Sequence, residues 1–183
     1  TLISATKLRN LVYEEPLKKN AGLDIYEEPI KDHNYLITVD VARGLGNDYS
    51  AFIVFDITNF PYKAVAKYRN NEIKPMLFPS IIDDIGKAYN KAFILCEVND
   101  IGDQVASILN YDLEYDNLLM CSQRGRAGQV VGAGFSGKRS QLGVRTTQAV
   151  KKLGCSNLKT LLEDDKILII DSVSYTHLTL PTT

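Results

Sequence analysis

Cysteine and histidine are scarce in this chain, and their scarcity removes the commonest soft-metal and redox chemistries. Cys96, Cys121 and Cys155 stand far apart, with no CxxC pair and no histidine near enough to complete a zinc set. They read as reduced, mostly buried thiols. His33 and His177 are too isolated to serve as a base or a ligand. Long apolar runs are missing as well. No stretch approaches the roughly 20 residues that span a bilayer, and the N-terminus lacks a basic region followed by an apolar signal core. A soluble, cytoplasmic protein with no membrane partner is the expectation. What is present suits one domain: 183 residues of 45% hydrophobic composition can bury a real core.

Acidic residues are also absent from one long stretch. The net charge is only -1, yet residues 117–162 contain no Asp or Glu while holding Arg124, Arg126, Lys138, Arg139, Arg145, Lys151, Lys152 and Lys159. A basic stretch on an otherwise acidic domain creates a one-sided field that attracts a polyanion. The alternative is a solvated surface loop and helix.

Residues 1–31 contain the sequence EEP twice, at Glu14–Pro16 and Glu27–Pro29. Because proline disfavours helix at the residue before it, these read as connecting turns in a linker. From Tyr35 the pattern becomes strands, over residues 35–41, 49–57 and 62–69, whose short connections predict an antiparallel meander. Gly44 and Gly46 in RGLGND make the first hairpin; a third glycine and a following helix, which a dinucleotide site needs, are missing. Apolar spacing predicts a helix over residues 79–90, then a buried strand at 92–97 that returns parallel to an earlier one. A helix over 100–109 and a short strand at 118–121 follow. Residues 123–143, with six glycines, read as a long loop that is either functional or disordered. A helix capped by Ser156 and a last strand at 166–171 close the domain, taken as residues 32–171. This order predicts an α/β ribonuclease-H-like mixed sheet, with three antiparallel strands plus parallel ones and flanking helices.

Two of these strands end on acids, YLITVD on Asp40 and AFILCE on Glu97. Lying side by side and parallel, they would bring both carboxylates to one edge. Hydrolysis of a phosphodiester by two metal ions needs carboxylates that hold divalent ions about 3.5–4 Å apart. Hard oxygen ligands suit Mg²⁺ or Mn²⁺. Asp48, just past the glycine turn, is a further metal candidate, though Asn47 and Asp48 are also ordinary turn residues. Asp100 and Asp103 read as caps at a helix entrance.

The segments YLITVDVARGLGNDYSAFIVFDI, AFILCEVNDIGDQVASILNYDLEYDNLL and QAVKKLGCSNLKTLLEDDKILIID together resemble the nuclease domain of the large terminase subunit of T-even-like tailed bacteriophages. The resemblance covers about residues 22–171. It implies a ribonuclease-H-like domain that cuts concatemeric double-stranded DNA during genome packaging with two Mg²⁺ or Mn²⁺ ions. Asp40 and Glu97 would be catalytic metal ligands, with Asp48 near the metals. It further implies an upstream ATPase motor domain, of which residues 1–31 would be the trailing edge, portal and small terminase partners, and location on the procapsid in the host cytoplasm. The basic residues Arg124, Arg126, Lys138, Arg139, Arg145, Lys151 and Lys152 would guide duplex phosphates.

The family's third metal-binding Asp lies in a His-Asp-Asp type motif downstream of KILIID, which this chain does not reach. Weak metal binding, with little or no activity from the fragment alone, is therefore the expectation, with Asp171 a poor substitute. Residues 172–183 no longer resemble the family and are set aside as a non-family tail. An actin-like ATP-binding domain also starts with a strand, an Asp and a glycine turn, but its second phosphate hairpin and adenosine motif are not found. A non-enzymatic alternative is a DNA-binding or portal-docking module of the same fold with lapsed catalysis.

Overall fold

The computed structural model describes residues 4, 7, 13–123, 128–133 and 140–171. In chain order, strands β1 (Lys18–Asn20) and β2 (Leu23–Ile25) precede β3 (Tyr35–Asp40), β4 (Ser50–Asp56) and β5 (Tyr62–Asn70). Helix α1 (Phe78–Ala88) leads to β6 (Phe93–Cys96), and helix α2 (Gly102–Ser107) continues as one π-helical turn, Ile108–Asp112. Then come β7 (Leu119–Ser122), β8 (Val130–Ala133), β9 (Ser140–Leu142), helix α3 (Gln148–Glu163) and β10 (Ile167–Leu168).

The main sheet runs β1-β2-β5-β4-β3-β6, and β10 pairs with β5. Strands β3, β4 and β5 form the expected antiparallel meander, and β6 lies parallel beside β3. Strand β3 shows why: Tyr35, Ile37 and Val39 are buried while Leu36 and Thr38 are half-buried and Asp40 is exposed. That alternation of period 2 commits one face to the core. The core unites Ile37, Val39, Phe52, Val54, Ile94 and Cys96 with Phe78 and Ile82 of α1 and Val105 and Ala106 of α2. Phe52, Tyr68 and Phe78 stack within it at centroid distances of 5.2, 6.1 and 5.6 Å, contacts worth about 0.5–1.5 kcal/mol each beyond the area they bury. The helices thus cover one face at the Asp40 end, leaving the other face for the site.

Several elements differ from expectation. The supposed linker contributes β1 and β2, and β2 pairs antiparallel with β5 from Leu23↔Tyr68 to Ile25↔Ala66. Three-residue strands bounded by EEP turns carry too little alternation to be read locally; distant pairing forms them. The supposed loop at 123–143 supplies β8 and β9, which flank β7 in a second, three-stranded sheet. Val130 and Val131 are exposed, so backbone pairing rather than burial holds β8, and hydrophobic pattern is blind to it. Helix α3 starts at Gln148, not near Ser156: Thr147 is the cap, its side chain accepting from the Val150 N–H at 3.2 Å. Only Leu162 of α3 is buried among its residues, which leaves its first turns without apolar periodicity. The last strand is shorter than expected, pairing only at Ile167 and Leu168, while Ile169, Ile170 and Asp171 continue as buried chain.

Candidate active site

The site begins with register. Thr38 pairs with Leu95 and Val39 with Cys96, and the Glu97 N–H donates to the Val39 carbonyl at 2.9 Å. Asp40 and Glu97 are the next position on each strand. Paired side chains of parallel strands share a face and lie on backbones about 4.8 Å apart. Both therefore stand on the face opposite Val39 and Cys96, which are core residues. One cleft is lined by both acids together with Thr38, Leu95, Val144 and Thr146.

Two glycines let the backbone close around Glu97. A Cβ on Gly102 would collide with the Glu97 carbonyl oxygen, and one on Gly143 (φ +68°) with the Cys96 carbonyl oxygen. Behind Gly143 the chain pairs with the strand end: the Val144 N–H donates to the Cys96 carbonyl at 2.8 Å, and the Val98 N–H to the Val144 carbonyl at 2.9 Å. Asn99 then fixes the carboxylate. Its Nδ2 donates to Glu97 Oε1 at 3.0 Å and to the Thr146 carbonyl at 3.1 Å, while its Oδ1 accepts from the Thr146 N–H at 3.2 Å. Sequence reading missed Asn99; its one signal is its place two residues after the strand-end acid.

A second, larger cleft of about 820 Å³ opens on the other side of Asp40, lined by Asp48, Tyr49, Arg43, Lys67, Arg69 and Asp171 among others. Asp40 belongs to both clefts, as do Ala51 and Ile53. Desolvation by the surrounding protein pushes the Asp40 carboxyl above its ordinary range, and the charges of Glu97 and Asp48 push the same way. A divalent cation would relieve that repulsion, and oxygen donors suit a hard ion. The residues present thus fit a metal through Asp40 and Glu97. Among the described residues, no group of three His, Cys, Asp or Glu side chains is placed to hold one. Asp48 is near enough to act on Asp40 electrostatically, yet it does not join Asp40 and Glu97 as a third ligand in this arrangement.

Asp100 is not a helix cap. With φ +50° it precedes the α2 entrance, where Ile101 is the N-cap residue, and it accepts a bidentate pair from Arg43 at 2.8 and 2.7 Å. This pair ties the β3–β4 turn to the β6–α2 loop. Nor is His33 isolated: its Nδ1 lies 2.6 Å from Asp56 Oδ2. Asp171 is buried and pairs with Lys67, which also lies 3.3 Å from Asp24. Of the basic residues, Arg145, Lys151 and Lys152 are exposed at the start of α3. Arg124, Arg126, Lys138 and Arg139 lie outside the described residues, as does His177.

Solved structures similar to this chain share the fold. The large terminase nuclease of thermophilic phage G20c with bound magnesium is 18% identical, with a TM-score of 0.68 over 95% of this chain and 76% of that one. The same nuclease with bound cobalt gives 18% identity and 0.70 over 97% and 78%. The large terminase nuclease domain of Thermus phage P74-26 gives 19% and 0.63 over 92% and 72%. These likenesses show a shared fold. The family model of the terminase RNaseH-like domain matches residues 37–177, a span that takes in both strand-end acids and runs past Asp171 into the stretch set aside as a tail. With more than half of its length matched, the chain belongs to the terminase RNaseH-like domain family.

Proposed function

We propose that this domain is a divalent-metal-dependent DNA endonuclease, the cutting module of a phage terminase large subunit. The observation that carries this reading is the side-by-side placement of Asp40 and Glu97 on one face of neighbouring parallel strands. Asp40 and Glu97 would hold Mg²⁺ or Mn²⁺, as two ions in the full site. Bound there, the metal supplies charge stabilisation to the phosphodiester oxygens and a water of lowered pKa. Asn99 holds Glu97 Oε1 so that the carboxylate need not reorient on binding. Asp48 adds negative charge that favours cation capture. Arg145, Lys151 and Lys152, with Arg124, Arg126, Lys138 and Arg139, would meet the duplex phosphates without reading sequence.

Within this reading the substrate is concatemeric double-stranded DNA. The working context is a packaging machine on the procapsid in the host cytoplasm, with an upstream ATPase motor, a portal and a small terminase subunit. Residues 1–31 would lead in from the motor, 32–171 form the nuclease, and 172–183 trail it; β1 and β2 give the leading segment a structural role in the sheet as well. Among the described residues, no helix is long and apolar enough to cross a membrane.

Nicking of supercoiled plasmid in Mn²⁺ tests the reading. Weak nicking is the outcome expected of a site built on Asp40 and Glu97 alone, chelation stops it, and Asp40→Asn and Glu97→Gln lose it while still binding DNA. Cleavage that survives Asp40→Asn would reject the assignment. DNA binding with neither nicking nor metal uptake would favour the DNA-binding module without catalysis.

A further inference from the structure

Four residues form a row across four adjacent strands. Arg69 of β5 pairs with Ala51 of β4, and Ala51 pairs with Asp40 of β3; Glu97 is at the matching position beside Asp40, one step beyond Val39↔Cys96. Side chains at paired positions share a face, so all four rise from the floor of the trough that joins the two clefts. Successive strands lie about 4.8 Å apart, which places the Arg69 backbone about 10 Å from that of Asp40, on the side away from Glu97. Between them stands only the methyl group of Ala51, so the floor is open.

The cations in this trough are not equally available. Lys67 is committed to Asp171 and Asp24, and Arg43 to Asp100 through both arms of its guanidinium. No carboxylate among the described residues lies within ion-pair distance of Arg69. Its guanidinium instead rests over the Tyr49 ring, 3.5 Å from the centroid. Stacking of this kind occupies the planar face and leaves the N–H edge to donate, the edge that grips phosphate through two parallel hydrogen bonds.

We propose that Arg69, propped on Tyr49, is a phosphate-binding site for the DNA backbone, spaced along the trough from the phosphate that reacts at Asp40 and Glu97. The inference rests on the nuclease reading for its ligand, and it adds an anchor that depends on no metal. Arg69 holds the strand by its backbone, and the row sets the direction in which that strand crosses the sheet.

The test is the salt dependence of binding to a short labelled duplex, measured by anisotropy with Ca²⁺ in place of Mg²⁺, alongside Mn²⁺ calorimetry and a thermal melt of each variant. One lost phosphate contact lowers the slope of log K against log salt by about 0.9. Arg69→Ala is expected to lose about that much slope and to keep the parent's Mn²⁺ affinity. Arg69→Lys, which keeps the charge, retains the slope with weaker binding. A folded Arg69→Ala with the parent's slope overturns the proposal while leaving metal-dependent nicking intact. A parent that takes up no metal and does not nick, but loses slope on Arg69→Ala, keeps the phosphate site and removes the nuclease reading.

Discussion

Desolvation by the surrounding protein, and then the charges of Glu97 and Asp48, raise the pKa of Asp40, against a backbone hydrogen bond from Val41 that lowers it. A raised acid binds its proton more tightly when folded. Stability therefore falls as pH rises from the ordinary value of 3.8 through the raised folded-state value. In chelator, Asp40→Asn should melt higher than the parent at pH 7, by up to about 2 °C since solvent still screens this only partly desolvated charge, and no higher near pH 3. Added Mn²⁺ should raise the parent's melting temperature and leave that of the variant unchanged. Equal melting temperatures at both pH values would remove the repulsion from the account. Asn99 acts on Glu97 alone, by donating to its Oε1. Replacing a residue that orients a metal ligand typically costs 10-fold to 100-fold in affinity or activity, so Asn99→Ala should weaken Mn²⁺ binding by about that factor. Calorimetry checks it, and an unchanged Kd would show that Glu97 needs no support.

Two elements carry Glu97 and its neighbours, and both depend on local backbone chemistry that can be tested directly. Gly143 has φ +68° and no room for a Cβ against the Cys96 carbonyl. Gly143→Ala should cost about 1–3 kcal/mol in denaturant unfolding, the usual range for a strained backbone position. At α3 the competing caps give a clean contrast. Thr147→Ala removes the acceptor for the Val150 N–H and should cost about 1 kcal/mol. Ser156→Ala, mid-helix and exposed, should be neutral or slightly stabilising by propensity. The reverse order of effects would place the helix start where the apolar residues first suggested. Those residues, Leu158, Leu161 and Leu162, mark only the part of α3 that approaches the body of the protein. Its first turns are solvated, so the cap at Thr147 was the available signal.

Across the whole molecule, what the sequence made legible was the central unit: β3, β4, β5, α1 and β6, each long enough for its alternation or helical spacing to show. A crossover of one helix returns a strand parallel, and the ribonuclease-H-like arrangement that the element order implied sets that strand beside β3, so the meeting of Asp40 and Glu97 was legible. What stayed hidden depends on pairing between distant segments. Strands β1, β2, β8 and β9 have three or four residues each, too few for periodicity. Arg69 drew no notice because its relation to Asp40 runs through two strand registers, and Asp100 and His33 were misjudged because their partners, Arg43 and Asp56, lie 57 and 23 residues away. The central claim is that Asp40 and Glu97 share bound cations. Anomalous diffraction from crystals soaked in Mn²⁺ measures this most directly. The account predicts a peak within bonding distance of an oxygen of each carboxylate, lost in Asp40→Asn crystals; Mn²⁺ bound elsewhere, with both carboxylates bare, would contradict it.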